Sequence, residues 1–226
     1  MGGSSVWDGT LSPDEFNASA KALATKWAEI DDLDDSLPNW AWRPCCKMGV
    51  PSEKEGFLVL EGVYYAGAAS EIEVSNELDD KGIVEHDTWV RFQWAYLIVQ
   101  SSCDDNVHDY DFHIAYSFSY KVPMLYFQGH QAGGELLTID EIKKDLPSHS
   151  LQVLSESKWT FITREEHPHL SWPWFTLHPC GTSEWMKLLL DKLGDKDRSL
   201  QYMSAWLSVV GQAVGLKIPL KLYCSS

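Results

Sequence analysis

Tyr110-Asp111-Phe112-His113-Ile114-Ala115-Tyr116-Ser117-Phe118-Ser119-Tyr120 alternates bulky side chains with small or polar ones. In an extended chain successive side chains point to opposite faces, so Phe112, Ile114, Tyr116, Phe118 and Tyr120 share one face. Asp111, His113, Ala115, Ser117 and Ser119 take the other. One heavy face and one light face is the pattern of an antiparallel sheet packed on one side by helices. Thr88 to Gln100 repeats the pattern, with Val90, Phe92, Trp94, Tyr96 and Ile98 on one side. Both sets are expected to face one core, because a slip of one residue would expose every aromatic among them.

Working outward, Val122 to Gln128 reads as a further strand, with Pro123 at an edge or bulge. Phe57 to Tyr65 reads as a strand interrupted by Gly62, Ser70 to Ser75 as a weaker one, and Trp159 to Thr163 as a brief one. Trp40 to Gly56 contains Pro44 and Pro51 amid mixed polarity and reads as irregular; Asp31 to Asn39 reads as an acidic loop. Ser12-Pro13-Asp14-Glu15 is a capping box with Pro at the first helical position, and Phe16, Ala20, Leu23, Trp27 and Ile30 follow at helical spacing. Gly129 to Gly134 reads as a loop, and Thr138 with Glu141 caps a short helix to Leu146. Two helices close the chain, one bearing Trp185, Met186, Leu189, Leu190 and Leu193, the other Leu200, Met203, Trp206, Leu207, Val210 and Val214. A helix, a run of strands and then helices, with no linker or repeat, predicts one α+β domain over residues 1–226.

The 226 residues are 44% hydrophobic and 12% aromatic, enough for a packed core. A formal net charge of −15 opposes binding to nucleic acid and to anionic membrane surfaces. Five cysteines (Cys45, Cys46, Cys103, Cys180 and Cys224) fit no disulfide framework and suit a reducing compartment. No signal segment and no apolar run of membrane-spanning length is present, so a cytoplasmic protein without membrane insertion is expected.

The chemistry centres on Phe175-Thr176-Leu177-His178-Pro179-Cys180-Gly181-Thr182-Ser183. It places a thiol on a turn just ahead of the amphipathic stretch Ser183 to Leu193. A helix starting there would point N–H groups back at the sulfur, and its dipole favours the thiolate, the nucleophilic form. The plain alternative is a small buried hydrophobe, the commonest fate of a free cysteine.

Other candidate sites are weak. His167 and His169 flank Pro168 after Glu165 and Glu166, but without H-E-x-x-H or C-x-x-C spacing they read as a solvated loop, not a metal site. Gly129 to Gly134 lacks a phosphate-cradle signature, and no cofactor is expected. A cysteine protease would need a histidine base at the sulfur. His178 lies two residues away across a rigid Pro179, which suits shaping of the turn better than proton transfer. A thiol without a dedicated base suits thioester exchange, in which the substrate arrives already activated.

Thr163-Arg164-Glu165-Glu166-His167-Pro168-His169-Leu170, a spacer and then Leu177-His178-Pro179-Cys180 resemble the active-site segment of the autophagy ubiquitin-like-conjugating enzymes. Tyr116 to Phe127 resembles the strands before that segment, and Leu137 to Ile142 the short helix between; the likeness covers roughly residues 110–193. Within the family the chain is similar to the autophagy-related protein 10 branch. It lacks the long acidic insertion of the protein 3 branch, and Gly181-Thr182-Ser183 follow its cysteine.

The resemblance implies a ubiquitin-conjugating-enzyme-like fold. It also implies a Cys180 that accepts modifier protein 12 from the activating enzyme, protein 7, as a thioester and passes it to a lysine of protein 5. Thr163, matching a family threonine, and His178 are the implied supporting residues. Transfer of a modifier to a lipid, as in the protein 3 branch, and a non-catalytic interaction module of the same fold are the alternatives. Ubiquitin's own conjugating enzymes carry His-Pro-Asn ahead of the cysteine; that Asn has no counterpart here.

Overall fold

A computed structural model describes residues 7–31, 38–47, 50–66, 107–148, 150–152 and 162–223. The proposed strands Thr88–Gln100 and Ser70–Ser75, together with Cys103, Cys224 and Trp159, lie outside the described residues. Helix α1 (Pro13–Asp31) is followed by β1 (Ala41–Lys47), β2 (Val50–Ala66), β3 (Val107–Ser117) and β4 (Val122–His130). Helix α2 (Ile139–Asp145), strands β5 (Ile162–Glu166) and β6 (Pro173–Leu177), and helices α3 (Thr182–Leu190) and α4 (Asp195–Ala213) complete the main elements. Six strands form one antiparallel sheet in the order β1-β2-β3-β4-β6-β5. The expected α+β arrangement, a sheet packed by N- and C-terminal helices, is therefore present.

The helices start where the caps direct. Glu15 Oε2 accepts from the Ser12 N–H at 2.7 Å and the Glu15 N–H returns to Ser12 Oγ at 3.3 Å, a reciprocal box that satisfies two orphan donors. Thr138 and Glu141 repeat it at α2. The apolar stripe of α1 is buried throughout at Phe16, Ala20, Leu23 and Trp27. It packs with Leu58, Leu60, Phe112, Ile114, Leu125 and Phe127 of the sheet and Met186, Met203 and Trp206 of α3 and α4.

Four readings of the sequence need correction. Within Trp40 to Gly56, residues 41–47 and 50–56 are strand and not irregular: β1 runs along the sheet edge, and its ladder slips between Pro44 and Cys46, the kind of position at which a sheet tolerates proline. Gly62 does not interrupt β2; it takes φ +76° inside a register shift between Leu60 and Val63, a bulge that the strand passes through. Phe118 is exposed at 65% and Tyr120 is also exposed, because β3 ends at Ser117 and the next residues turn towards β4. Lys121, at φ +55°, completes that turn.

The fourth correction concerns the light face of the sheet. His113 and Ala115 are buried, and Phe57, Val59, Met124, Tyr126 and Trp174 form a second apolar cluster around them with Cys45. The β5–β6 connection folds over this face, so His167 is fully buried and does not belong to a solvated loop. Tertiary cover supplied from fifty residues away leaves no trace in the local alternation.

Candidate active site

Strand β6 delivers the thiol. Its pairing with β4 (Tyr126 with Thr176, Phe127 with Phe175), reinforced by Thr176 Oγ1 donating to the Leu125 carbonyl at 2.8 Å, fixes where Leu177 leaves the sheet. His178 and Pro179 carry the chain off the end. The Thr182 N–H then donates to the Pro179 carbonyl at 2.9 Å, closing a turn with Cys180 and Gly181 at its centre. Gly181 has φ −101° and ψ −2°, the dihedrals of the third residue of a type I turn. Cys180 stands half-buried at that corner and is in no disulfide, so it is not the buried hydrophobe of the plain alternative. Helix α3 begins two residues later, from Thr182, with Gly181 as its N-cap residue.

His178 faces back into the loop. Its Nδ1 accepts the backbone N–H of Cys180 at 3.2 Å, so in the neutral ring the proton resides on Nε2, 3.3 Å from the Tyr120 hydroxyl. The two rings also meet edge to face, 5.5 Å between centroids. This arrangement matches a residue that shapes the turn. Tyr120 was not among the site residues read from the sequence, where its place in the alternation assigned it to the core; only the early end of β3 frees it to reach His178.

Thr163 lies on β5 opposite Thr176, and its hydroxyl donates to Glu165 Oε1 at 3.2 Å. Its strand partner is on the face with Trp174 and Tyr126, whereas α3 packs on the other face through Met186 and Leu190. A cavity of about 50 Å³ lies beneath the thiol loop, lined by Leu125, His178, Pro179, Thr182, Trp185 and Val210 among others. Phe118 of the β3–β4 turn and Leu188 and Leu189 of α3 are exposed apolar side chains.

The other candidate ligands cluster elsewhere. Cys45 Sγ lies 3.0 Å from His169 Nδ1, His113 Nδ1 lies 3.2 Å from His167 Nε2, and the His169 N–H donates to His167 Nδ1. Phe57 stacks on His169 and Trp174 on His113. Burial drives the His113 imidazole down to about 3 and that of His167 down to about 4, so both rings are neutral near pH 7. Among the described residues no group of three His, Cys, Asp or Glu side chains is placed to hold a metal ion.

The family model described as "Autophagocytosis associated protein, active-site domain" matches residues 15–221. The chain is 41% identical to the Arabidopsis thaliana ubiquitin-like-conjugating enzyme ATG10 over 96% of both proteins, and 37% identical to human ATG10 over 54% of this chain and 56% of that one. Weaker similarity extends to autophagy-related protein 3 of Candida glabrata, 33% identical over 42% of this chain and 29% of that protein. A crystal structure of the autophagic conjugating enzyme Atg10 aligns with 92% of this chain and all of its own, at 16% identity and a TM-score of 0.45. The chain belongs to the family of autophagy ubiquitin-like-conjugating enzymes and is a transferase of the ATG10 type.

Proposed function

We propose, with that membership as premise, that Cys180 carries the modifier as a thioester. The modifier would be autophagy protein 12, received from the activating enzyme (protein 7) and passed to a lysine of protein 5. The observation that carries this reading is the half-buried cysteine, outside any disulfide, at the corner of a closed turn two residues ahead of a helix N-terminus. In the first step the Cys180 thiolate attacks the acyl carbon of the donor thioester. A new carbon–sulfur bond forms, the old one breaks, and the activating enzyme's cysteine leaves as thiolate.

In the second step a neutral lysine amine attacks the Cys180 thioester, the amide forms, a proton leaves the nitrogen, and Cys180 is released. Each step passes through a tetrahedral oxyanion that needs nearby donors; the loss of one donor in other enzymes costs about two to three decades in rate. No Asn stands at the place ubiquitin's enzymes use; in the first turn of α3 the N–H groups of Thr182 and Trp185 bond to the Pro179 and Gly181 carbonyls, and we assign the donor role to those of Ser183 and Glu184. His178 holds the Cys180 backbone, and Thr163 supports β5 beside β6. No helix among the described residues is long and apolar enough to cross a membrane. Thioester chemistry needs its cysteine reduced, and on that ground our reading includes a cytoplasmic location.

Reconstitution tests the partner assignment. The protein, protein 7 and ATP are mixed with protein 12 or, separately, with the modifier used by the protein 3 branch; protein 5 or aminolipid vesicles serve as acceptor. A reductant-sensitive adduct with protein 12 and a stable conjugate with protein 5 are expected. Conjugation to the vesicle amine instead would favour the lipid reading, and the absence of any adduct would favour a non-catalytic module.

A further inference from the structure

Residues 7–12 precede α1 and form neither helix nor strand, yet Gly9 and Leu11 are buried. Gly9 adopts φ +87°, where a side chain is strained, and a methyl group built on it collides with the carbonyl of Ser183 in the first turn of α3. That obstacle is backbone, so no rotamer change relieves it. The Gly9 carbonyl accepts from the Tyr202 hydroxyl of α4 at 2.9 Å. Trp7 meets the Tyr202 ring edge to face at 6.1 Å and lies under the Arg198 guanidinium at 4.4 Å. The segment is thereby pinned to α3 and α4.

Two residues later it is pinned to something else. The Leu11 N–H donates to the Lys121 carbonyl at 2.9 Å, and the Leu11 carbonyl accepts from the Tyr116 hydroxyl at 2.6 Å. Lys121 ends the β3–β4 turn, the same turn that carries Tyr120 to His178. Cys180 therefore lies between two supports, the His178–Tyr120 contact before it and the start of α3 after it. Residues 7–11 touch the bases of both.

We propose that residues 7–11 are a strap that sets the position of the thiol turn, with Gly9 as its positioning residue and Tyr202 as its anchor. The proposal rests on Cys180 being the nucleophile. Gly9 lets the strap approach the α3 backbone closely enough to hold Ser183, and with it the donors of the first turn, at a fixed distance from the β3–β4 turn. Reactions of this kind lose about a hundredfold when a reacting group is misplaced by roughly 1 Å, so a distant contact of this sort acts on rate.

The test uses the full chain with Gly9→Ala and Tyr202→Phe, the second keeping the ring and removing only the hydroxyl. Thermal unfolding is measured first, and kinetics are then run well below each midpoint. Thioester is formed on Cys180, located by peptide mass spectrometry, and discharged in a single turnover onto free lysine, which needs no acceptor docking. Discharge is expected to fall at least tenfold in Gly9→Ala and severalfold in Tyr202→Phe, with the rate constant for Cys180 alkylation by iodoacetamide also changed. A purely stabilising contact would lower the midpoint yet leave both rate constants at wild-type values, and that result overturns the strap. If Gly9→Ala does not fold, Tyr202→Phe decides alone. Thioester on Cys180 in every protein with equal discharge refutes the strap only; wild-type adduct at another residue refutes the nucleophile and the strap together.

Discussion

The backbone N–H of Cys180 donates to Nδ1 of His178 at 3.2 Å. A histidine two residues before a nucleophilic thiol invites assignment as its base, but the nitrogen nearest the loop is already occupied in holding the turn. His178 thereby ties Cys180 to Tyr120, and the pair makes one side of a frame whose other side is the start of α3.

His178→Ala should leave the fold intact and slow thioester discharge about five- to tenfold, the equivalent of one net hydrogen bond. His178→Asn should recover much of the loss, because an Asn side-chain oxygen can accept an N–H two residues on. Single-turnover discharge of the three proteins checks this. An Asn form as slow as the Ala form would show that the imidazole does more than hold the turn.

Acid should destabilise the protein through the buried histidine cluster. The folded values of His113 and His167, about 3 and about 4, lie below the ordinary 6.5, so between pH 6.5 and about 4 the unfolded chain binds more protons. Stability from these rings is complete above pH 6.5 and declines as pH falls, by at most about 1.4 kcal/mol per pH unit for each. Denaturant midpoints at pH 7.5 and pH 5 should differ clearly in the wild type and less in His113→Gln, which no longer titrates at that position. Equal differences in both would remove the cluster from the account.

Gly129 is the next-to-last residue of β4, where a Cβ would come within 2.6 Å of Leu137 Cδ1 and 2.8 Å of the Tyr110 ring. Gly129→Ala overpacks that contact and should cost about 1–3 kcal/mol. Because Gly129 pairs with Tyr110 towards one end of β4 while the thiol loop lies by Pro123 at the other, discharge per loaded molecule should be unchanged. Chemical denaturation and single-turnover kinetics together check the separation.

The fold was legible where local pattern and tertiary context agree. Alternation in β3, the two capping boxes and the stripe of α1 each follow from residues within a few positions of one another. It was illegible where distant chain supplies the cover or the partner. Pro44 hid β1, and Pro51 the start of β2, because prolines are tolerated at an edge that sequence cannot identify as an edge. His167 read as solvated because nothing local announces Trp174 and Phe57 around it. At the candidate site, the His-Pro-Cys motif points to Cys180 and His178 as the residues proposed to act. The contacts of Tyr120, Gly9 and Ser183 were not legible, since they exist only once β3 ends at Ser117 and the chain ahead of α1 returns to α3.

Thiol reactivity separates Cys180 from Cys45. Cys180 is half-buried at a turn, while Cys45 is buried against His169. Iodoacetamide followed by peptide mass spectrometry should label Cys180 faster, and Cys45→Ala should retain conjugation. Faster labelling at Cys45 would contradict the geometry.

The most direct measurement is a time course of adduct and conjugate for wild type, Cys180→Ser and Cys180→Ala with activating enzyme, modifier, acceptor and ATP, each fold verified by circular dichroism. Exchanging one sulfur for oxygen at a half-buried turn is a small structural change. Wild type should form an adduct that thiol reductant removes and a conjugate that it does not. Any adduct on the Ser form should resist reductant and accumulate, since an oxyester is a poorer acyl donor than a thioester. The Ala form should yield neither species. Normal conjugate from a well-folded Cys180→Ala protein would contradict the assignment of Cys180 as the residue that carries the modifier.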